Sequence, residues 1–412
     1  MAPSPRDLVA RFGSPLYVYD LALVRERARA LKRCITYQPF QPVFAIKANS
    51  CPAVARVMVE EGFGVDAVSP GEVAIALKLG VKPDLVIYTE NNMTDGEMAE
   101  AMAQGVLINC GSLDRLERLG KAGARACAVR FNPDIGDGSN EKICTGGPMS
   151  KFGVHFTQVA EVLRIERETG IQVVGCHMHI GSGFLDATAF VKAMGVLLDV
   201  ARQLPHLRFV DFGGGIGIPY RPDEQPMDLD ALGQKASALM AGFADRYTGI
   251  HGRERTVELH LEPGRFLVAE SGTLITTVTS VKTNPDSKDG ARTVKGRTYV
   301  GCDTGFNHLV RPTMYGAYHR IDNLTSGGAP LTTVDVVGNI CESGDVFARD
   351  RALPMPKLGD LLALRDAGAY GMTMASAYNT RPLPAEVVID GDDVRLARPR
   401  QTIAQLLEQY IW

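Results

Sequence analysis

The sequence has no apolar run that reaches the length of a membrane span, and its N-terminal segment lacks the continuous apolar stretch of a secretory signal. Its net charge is only −3 at pH 7, and it has no long basic run, so the usual signs of binding to nucleic acid or a membrane surface are missing. These absences favour a small-molecule ligand. They predict a cytoplasmic protein with neither a nucleic-acid nor a membrane partner.

The eight cysteines include no C-x-x-C pair, and their scatter matches neither a disulfide framework nor a structural zinc site. We therefore expect reduced thiols and no metal centre. With 412 residues and 45% hydrophobic content, the chain can bury one large core and a smaller second one.

A repeated strand and helix pattern fills the first two thirds of the chain. Eight short β-branched or aromatic runs end in polar or glycine residues, and most precede segments with helical spacing. Eight such units predict a TIM-like (β/α)8 barrel over roughly residues 38–268, because an open doubly wound sheet usually has fewer strands. The runs are PVFAIKAN, GVDAVS, DLVIYTE, GVLINC, CAVRFNP, VVGCHMHIGS, RFVDFGGG and ELHLEPGR.

The pattern changes after about residue 270, where strands follow one another with turns and little helix between them. This change predicts a second, all-β domain. The alternating N-terminal run PLYVYD does not fit the barrel, so we expect it to join that domain. The predicted division is an N-terminal strand and helix at 1–34, the barrel at 35–270 and the β domain at 271–412.

Polar residues stand at the C-terminal ends of the predicted barrel strands, where barrel enzymes build their active sites. Lys47 is conspicuous because it ends an apolar strand, and a buried ammonium is costly unless something uses it. A structural ion pair with Asp66 is the ordinary alternative. The polar residues at these strand ends are Lys47, Asp66, His177, His179, Ser182, Glu262 and Arg265.

Three glycines, Gly213 to Gly215, follow the seventh predicted strand, where many barrels bind phosphate through backbone N–H groups. Alone, such a run more often forms a tight turn, and it does not satisfy the dinucleotide pattern G-x-G-x-x-G. Combined with a lysine, a carboxylate and an imidazole, it fits pyridoxal phosphate. The lysine would bond to the cofactor, the carboxylate would keep its pyridine nitrogen protonated, and the imidazole would stack on its ring.

His177 and His179 form an H-x-H pair on one strand face, a motif also found in metal sites. Barrel hydrolases are expected to carry that motif on the first strand, with further histidines and an aspartate later, and this sequence offers no matching set. Cofactor stacking is therefore favoured for His179 and a packed or hydrogen-bonded role for His177. Glu262 could also cap a helix or pair with Arg265.

A series of specific motifs runs in order along nearly the whole chain. The motifs are FAIKANS, VDAVSPGE, TGGPMSKFGV, HMHIGSG, DFGGGIGIPY, EPGRFLVAESG, RPTMYGAYH, CESGDVFARD, DAGAYGMTMASAYN and RPRQTIAQLL. They resemble those of the diaminopimelate decarboxylases, which are related more widely to the ornithine and arginine decarboxylases. The resemblance implies a TIM-like barrel with a β domain, the alanine racemase-like fold, and pyridoxal 5'-phosphate as cofactor. The implied reaction converts meso-2,6-diaminopimelate to L-lysine and CO2.

The resemblance also implies roles at the cofactor. Lys47 would carry it and Asp66 would belong to the same site. The ring contacts would come from His179, which stacks, and Glu262, which pairs with the pyridine nitrogen. The phosphate would be held by Ser182, Gly214 and Gly215, and Tyr370 would close the site.

On the substrate side, the resemblance implies that Arg265, Arg311 and Tyr315 grip the carboxylate that does not react, with Glu342 at the nearby ammonium and Tyr370 also in contact. Two arginines favour a dicarboxylate over the distal cation of ornithine or arginine. In distant relatives the arginine equivalent to Arg265 serves the phosphate instead. Cys341 would donate a proton from the partner subunit, which implies a homodimer with shared active sites.

Three departures from the family pattern, Phe306, His308 and Ala377, lie near substrate-facing segments. They leave open a related decarboxylase acting on a D-amino acid or a carrier-tethered amino acid. A non-catalytic relative would be expected to have lost Lys47, Glu262 or Cys341. A racemase would need a tyrosine base opposite the lysine and would have little use for the CESGD motif.

Overall fold

The computed structural model describes residues 3–252, 256–290, 292–326 and 328–411. The chain divides into two compact units. The barrel unit comprises Arg25–Pro219 and Gln225–Leu267, and the β unit comprises Met1–Val24, Tyr220–Glu224 and Val268–Trp412. This division differs from the predicted one because it falls within the helix Leu21–Cys34 and assigns a short stretch of a barrel loop to the β unit.

Eight parallel strands close the barrel, so the predicted TIM-like fold is confirmed and the open sheet is excluded. Closure is visible where the last strand pairs with the first, with Leu259 opposite Phe40. The strands are Phe40–Ala45, Gly64–Ala67, Val86–Thr89, Leu107–Cys110, Ala126–Asn132, Gln172–His177, Phe209–Asp211 and Glu258–Leu261. A further short strand, Val154–His155, pairs with the fifth.

The helices around the barrel begin and end at residues suited to those positions. Thr94 and Glu97 form a capping box, in which each side chain accepts a hydrogen bond from the other residue's backbone, and Gly105 ends the same helix in the left-handed conformation. Among the described residues no helix is long and apolar enough to cross a bilayer. The helices are Leu21–Cys34, Pro52–Glu60, Pro70–Lys78, Asp95–Gln104, Leu113–Lys121, Val159–Thr169, Thr188–Ala201, Leu229–His251 and Arg265–Val268.

The β unit is built on a nine-stranded mixed sheet. In sheet order, seven strands are Val346–Pro354, Leu331–Val337, Thr298–Cys302, Gly272–Thr283, Leu16–Asp20, Ala385–Asp390 and Asp393–Arg398. Leu361–Leu364 pairs with Gly272–Thr283 and with Ile321–Asn323. Ser287–Asp289 and Arg292–Val294 form a separate pair. The helices of the β unit are Pro5–Phe12, Arg311–Tyr315 and Ile403–Leu407.

The N-terminal strand Leu16–Asp20 lies inside this sheet, antiparallel to one neighbour and parallel to the other. Its alternation sends Leu16 and Val18 to one face, where they join a core cluster with Ile275 and Val387. The tyrosines point to the opposite face and each hydroxyl finds a buried acceptor, as Tyr17 does at the carbonyl oxygen of His308 (2.7 Å).

Candidate active site

Lys47 lies in a 3-10 turn, Ile46–Ala48, directly after the first barrel strand. Its ammonium pairs with the Asp66 carboxylate at the end of the second strand. Asp66 is fully buried, whereas 31% of the Lys47 side chain is exposed. The pair makes a lysine tolerable at this position and leaves it accessible from the C-terminal end of the barrel.

Glu262 follows the eighth strand and is buried beside two other titratable side chains, His177 and Asp211. One nitrogen or oxygen atom from each of the three lies within 4.8 Å of the others. His177 Nε2 is 2.9 Å from Glu262 Oε2. Burial alone would raise the pKa of Glu262, but His177 and Lys47 lower it to about 2.

Asp211 behaves in the opposite way. Burial, together with the Glu262 charge, raises the pKa of Asp211 well above its usual range, although the N–H of Gly213 donates to it (2.7 Å). The two pKa shifts are opposite in direction, so of these two adjacent buried carboxyls Glu262 is the one that carries the negative charge more readily. Glu262 Oε1 is buried and has no assigned hydrogen-bond partner within the described ranges, and a protonated pyridine nitrogen would suit it as a donor.

The glycine loop after the seventh strand needs residues without side chains. A Cβ at Gly214 would lie 2.1 Å from the carbonyl oxygen of Glu262, and Gly215 has φ +112° with Phe184 2.2 Å from where its Cβ would be. The loop therefore approaches the strand ends closely. This close backbone approach suits a phosphate held by N–H groups.

His179 is half-buried, and Gly214 donates its N–H to His179 Nδ1 (3.1 Å). Burial, with the charges of Arg130 and Lys47, lowers the pKa of His179 well below its usual range. The imidazole is therefore neutral, as a ring that stacks on a cofactor should be. Arg130 also donates to the carbonyl oxygen of His179 (3.1 Å), which links the fifth strand to the segment after the sixth strand.

Arg265 lies at the start of a short helix after the eighth strand, and its Nη2 donates to Ser182 Oγ (3.0 Å). Arg265 is thus next to the serine predicted for the phosphate. This neighbourhood favours a role of Arg265 beside the phosphate over a role at the substrate carboxylate.

In the β unit, Arg311 and Tyr315 begin and end one short helix. The guanidinium of Arg311 is buried, lies over the ring of Tyr220 at 4.6 Å and contacts His319 Nε2 at 2.9 Å. A buried guanidinium between an aromatic face and an imidazole is held in one orientation, as recognition of a carboxylate requires.

Cys341 and Glu342 are exposed on a loop of the β unit. Asp345 shapes this loop, because its carboxylate accepts hydrogen bonds from the backbone N–H groups of Ile340 (2.8 Å) and Phe306 (2.7 Å). The Cys341 thiol is 3.4 Å from Asn379 Oδ1. Elsewhere in this unit Tyr370 is half-buried, with φ +56°.

The three departures have different surroundings. His308 is buried, with its Nδ1 2.9 Å from Thr304 Oγ1, and burial lowers its pKa to about 4. It is therefore an interior residue. Phe306 stacks on Tyr378 with ring centroids 5.7 Å apart, and Ala377 precedes the turn that carries Tyr378. Phe306 and Ala377 therefore share one partly exposed patch.

The structure thus brings together the barrel residues Lys47, Asp66, His179, Ser182, Gly214, Gly215, Glu262 and Arg265 at the C-terminal ends of the strands. Arg311, Tyr315, Cys341, Glu342 and Tyr370 belong to the β unit. Sequence reasoning missed Asp211, Arg130 and His319. Asp211 ends a barrel strand and could have been found by the rule that located Glu262.

Comparison with known proteins agrees with this geometry. Residues 21–269 match the family described as "Pyridoxal-dependent decarboxylase, pyridoxal binding domain". The diaminopimelate decarboxylase of Methanothermobacter thermautotrophicus is 42% identical, over 97% of this chain and 92% of the relative. That of Escherichia coli K12 is 38% identical, over 97% and 94%. The crystal structure of the Helicobacter pylori enzyme complexed with L-lysine has a TM-score of 0.86 at 30% identity, covering 98% of each chain.

The fold and the barrel site define a pyridoxal-phosphate-dependent decarboxylase of the barrel type. Within that class, the chain belongs to the diaminopimelate decarboxylase family.

Proposed function

We propose that this enzyme removes CO2 from meso-2,6-diaminopimelate and releases L-lysine. The observation that carries the proposal is the barrel site, where an accessible lysine and a buried, ionised Glu262 lie in a chain that matches diaminopimelate decarboxylases over its length. The alternative is a related decarboxylase of a D-amino acid or a carrier-tethered amino acid.

The barrel residues suit the cofactor. Bound pyridoxal phosphate withdraws electrons from the carbon that loses CO2. Lys47 would anchor the cofactor, and Glu262 would keep its ring nitrogen protonated. The neutral imidazole of His179 would stack on the cofactor ring. Ser182 and Arg265, with the loop of Gly214 and Gly215, would hold its phosphate.

On the substrate side, Arg311 and Tyr315 bind the carboxylate that stays in the product, and Glu342 binds the ammonium beside it. Tyr370 closes the site. After CO2 leaves, the Cys341 thiol returns a proton to the same carbon. Arginine suits the distal carboxylate because its planar fork can make two parallel charge-assisted hydrogen bonds.

Cys341 acts, in this proposal, on the site of the other subunit of a homodimer. The exposure of Cys341 and Glu342 supports this arrangement, because neither side chain is buried within its own chain. A cytoplasmic location also belongs to the proposal. It is supported by the eight cysteines, all described, which form no disulfide.

The test is CO2 release by the purified protein with added pyridoxal phosphate. Substrates are meso-diaminopimelate, L-lysine, D-lysine, L-ornithine and L-arginine at equal concentration. Fast release from diaminopimelate alone is expected. Fast release from another amino acid alone would overturn the proposed substrate and assign the specificity to the patch around Phe306 and Ala377.

A further inference from the structure

His319 in the β unit has a tautomer fixed by its two neighbours. Its side chain is fully buried, with Nδ1 2.7 Å from the carbonyl oxygen of Arg365 and Nε2 2.9 Å from Arg311 Nη1. A carbonyl oxygen can only accept, so Nδ1 carries the hydrogen. A guanidinium can only donate, so Nε2 offers its lone pair. His319 is therefore a neutral acceptor for Arg311.

The carbonyl that anchors His319 belongs to a rigid part of the sheet. Arg365 directly follows the strand Leu361–Leu364, and its backbone N–H donates to the carbonyl oxygen of Arg320 (2.8 Å). Its side chain is held by Asp322 (2.8 Å). The imidazole of His319 is therefore held in place by the end of a paired strand and not by the tip of a loop.

The guanidinium of Arg311 is fixed on two sides by this arrangement. The lone pair of His319 Nε2 accepts a hydrogen bond from Arg311 Nη1, and the ring of Tyr220 covers one face of the guanidinium at 4.6 Å. Tyr220 in turn meets His319 edge-on, with ring centroids 5.5 Å apart at 73°. A long side chain held this way loses less conformational entropy when a ligand binds, so more of the carboxylate interaction is available as affinity.

We infer that His319 is a positioning residue that fixes the plane of the Arg311 guanidinium and thereby sets the preference for ligands with a carboxylate at the non-reacting end. This inference rests on the proposed role of Arg311. It adds that recognition of the carboxylate requires an acceptor at the position of Nε2, and not merely a residue that fills the space of the imidazole.

Two amide substitutions separate these possibilities. In His319→Asn the amide N–H takes the place of Nδ1–H, so the bond to Arg365 is kept while the acceptor for Arg311 is lost. In His319→Gln the amide oxygen takes the place of Nε2, so the acceptor is kept while the bond to Arg365 is lost. If His319 has only a structural role, the bond to the Arg365 carbonyl oxygen matters most, and His319→Asn should be the milder substitution. If His319 positions Arg311, the acceptor at Nε2 matters most, and His319→Gln should be the milder substitution.

The readout is competitive inhibition of the cofactor-loaded enzyme by L-lysine and by cadaverine, which differ only in the carboxylate. The preference for the carboxylate is the inhibition constant of cadaverine divided by that of L-lysine. We expect this ratio to fall at least tenfold in His319→Asn and less than threefold in His319→Gln. Cofactor content should be unchanged in both. His155→Asn, at an outlying histidine of the barrel unit whose ring contacts Thr157, is the control and should keep the parent ratio.

Arg311→Met shows whether the inference or the proposed function is at fault. If the ratio of inhibition constants falls at least tenfold in Arg311→Met but not in His319→Asn, His319 has no positioning role and the proposed function stands. If Arg311→Met keeps the parent ratio, the proposed role of Arg311 fails and the inference fails with it. A ratio that falls in His319→Gln and persists in His319→Asn would also overturn the inference.

Discussion

At the scale of single residues, the barrel site keeps the buried Glu262 carboxylate charged although a second buried carboxyl, Asp211, lies next to it. Glu262 and Asp211 are both inaccessible to water, so both cannot ionise cheaply. The imidazole of His177 contacts Glu262 at 2.9 Å and places the charge there. A carboxylate at this position can keep the cofactor nitrogen protonated, whereas a neutral carboxyl could not.

We therefore predict that His177→Leu lowers kcat at least tenfold while the KM for diaminopimelate changes less than threefold. The reason is that Glu262 loses the hydrogen bond that lowers its pKa, which weakens transition-state stabilisation more than substrate binding. The measurement is steady-state kinetics together with the absorption spectrum of the bound cofactor. His177→Gln, which keeps an N–H donor, is the matched control, and an unchanged spectrum in His177→Leu would contradict the prediction.

The buried His308 makes stability depend on pH. Its pKa is about 4 in the folded state against 6.5 in the unfolded chain, so the unfolded chain binds more protons between these values. The free energy of unfolding therefore falls as pH falls from 6.5 towards 4, by about 2 kcal/mol between pH 7 and pH 5. Urea unfolding of the parent and His308→Asn at both pH values tests this. Equal pH dependence in the two proteins would refute it.

Sequence reasoning reached most of these residues through one rule, that side chains at the C-terminal ends of barrel strands face the active site. It located Lys47 and Glu262 correctly at those ends, and it expected a hydrogen-bonded role for His177. It could not reveal that His177 favours the negative charge on Glu262 over the neighbouring Asp211, because that depends on distances between three strands. His319 carried no signal, since nothing in the sequence pairs it with Arg311.

At the scale of elements, the loop after the seventh strand is the most constrained part of the barrel. Gly214→Ala would place a Cβ about 2 Å from a carbonyl oxygen, so the loop or the end of the eighth strand must move. We predict a loss of about 1–3 kcal/mol in the free energy of unfolding and at least tenfold weaker binding of pyridoxal phosphate.

The control is Gly195→Ala in the helix Thr188–Ala201, where nothing lies within 4 Å of the added Cβ. Alanine favours a helix over glycine, so this variant should be as stable as the parent or up to about 1 kcal/mol more stable. Urea unfolding and fluorescence titration with the cofactor measure both quantities. If Gly214→Ala binds the cofactor as tightly as Gly195→Ala does, the loop does not hold the phosphate.

The strands were more predictable than the division between the units. All eight predicted barrel strands are present, because parallel strands buried on both faces give short, continuous apolar runs. The division falls inside the helix Leu21–Cys34, whose sequence is continuous across it. Residues 220–224 group with the β unit through spatial contacts such as that of Tyr220 with Arg311, which no local pattern encodes.

At the scale of the whole molecule, the proposed homodimer makes a quantitative prediction. If Cys341 serves the site of the other subunit, Lys47→Ala and Cys341→Ala each inactivate a homodimer. A heterodimer of the two variants would retain one site with both residues intact. After equal mixing and complete subunit exchange, half of the dimers are heterodimers, so about a quarter of parental activity should return by the twofold symmetry of such an assembly.

The matched control mixes Lys47→Ala with Glu262→Gln. Both residues belong to one barrel, so every site in that heterodimer lacks an essential group and no activity should return. Exchange is verified by native mass spectrometry on chains of different mass. Recovery in the control mixture would mean that the measurement does not report shared sites. Absence of recovery in the test mixture, with exchange complete, would place Cys341 in the site of its own chain or outside the reaction.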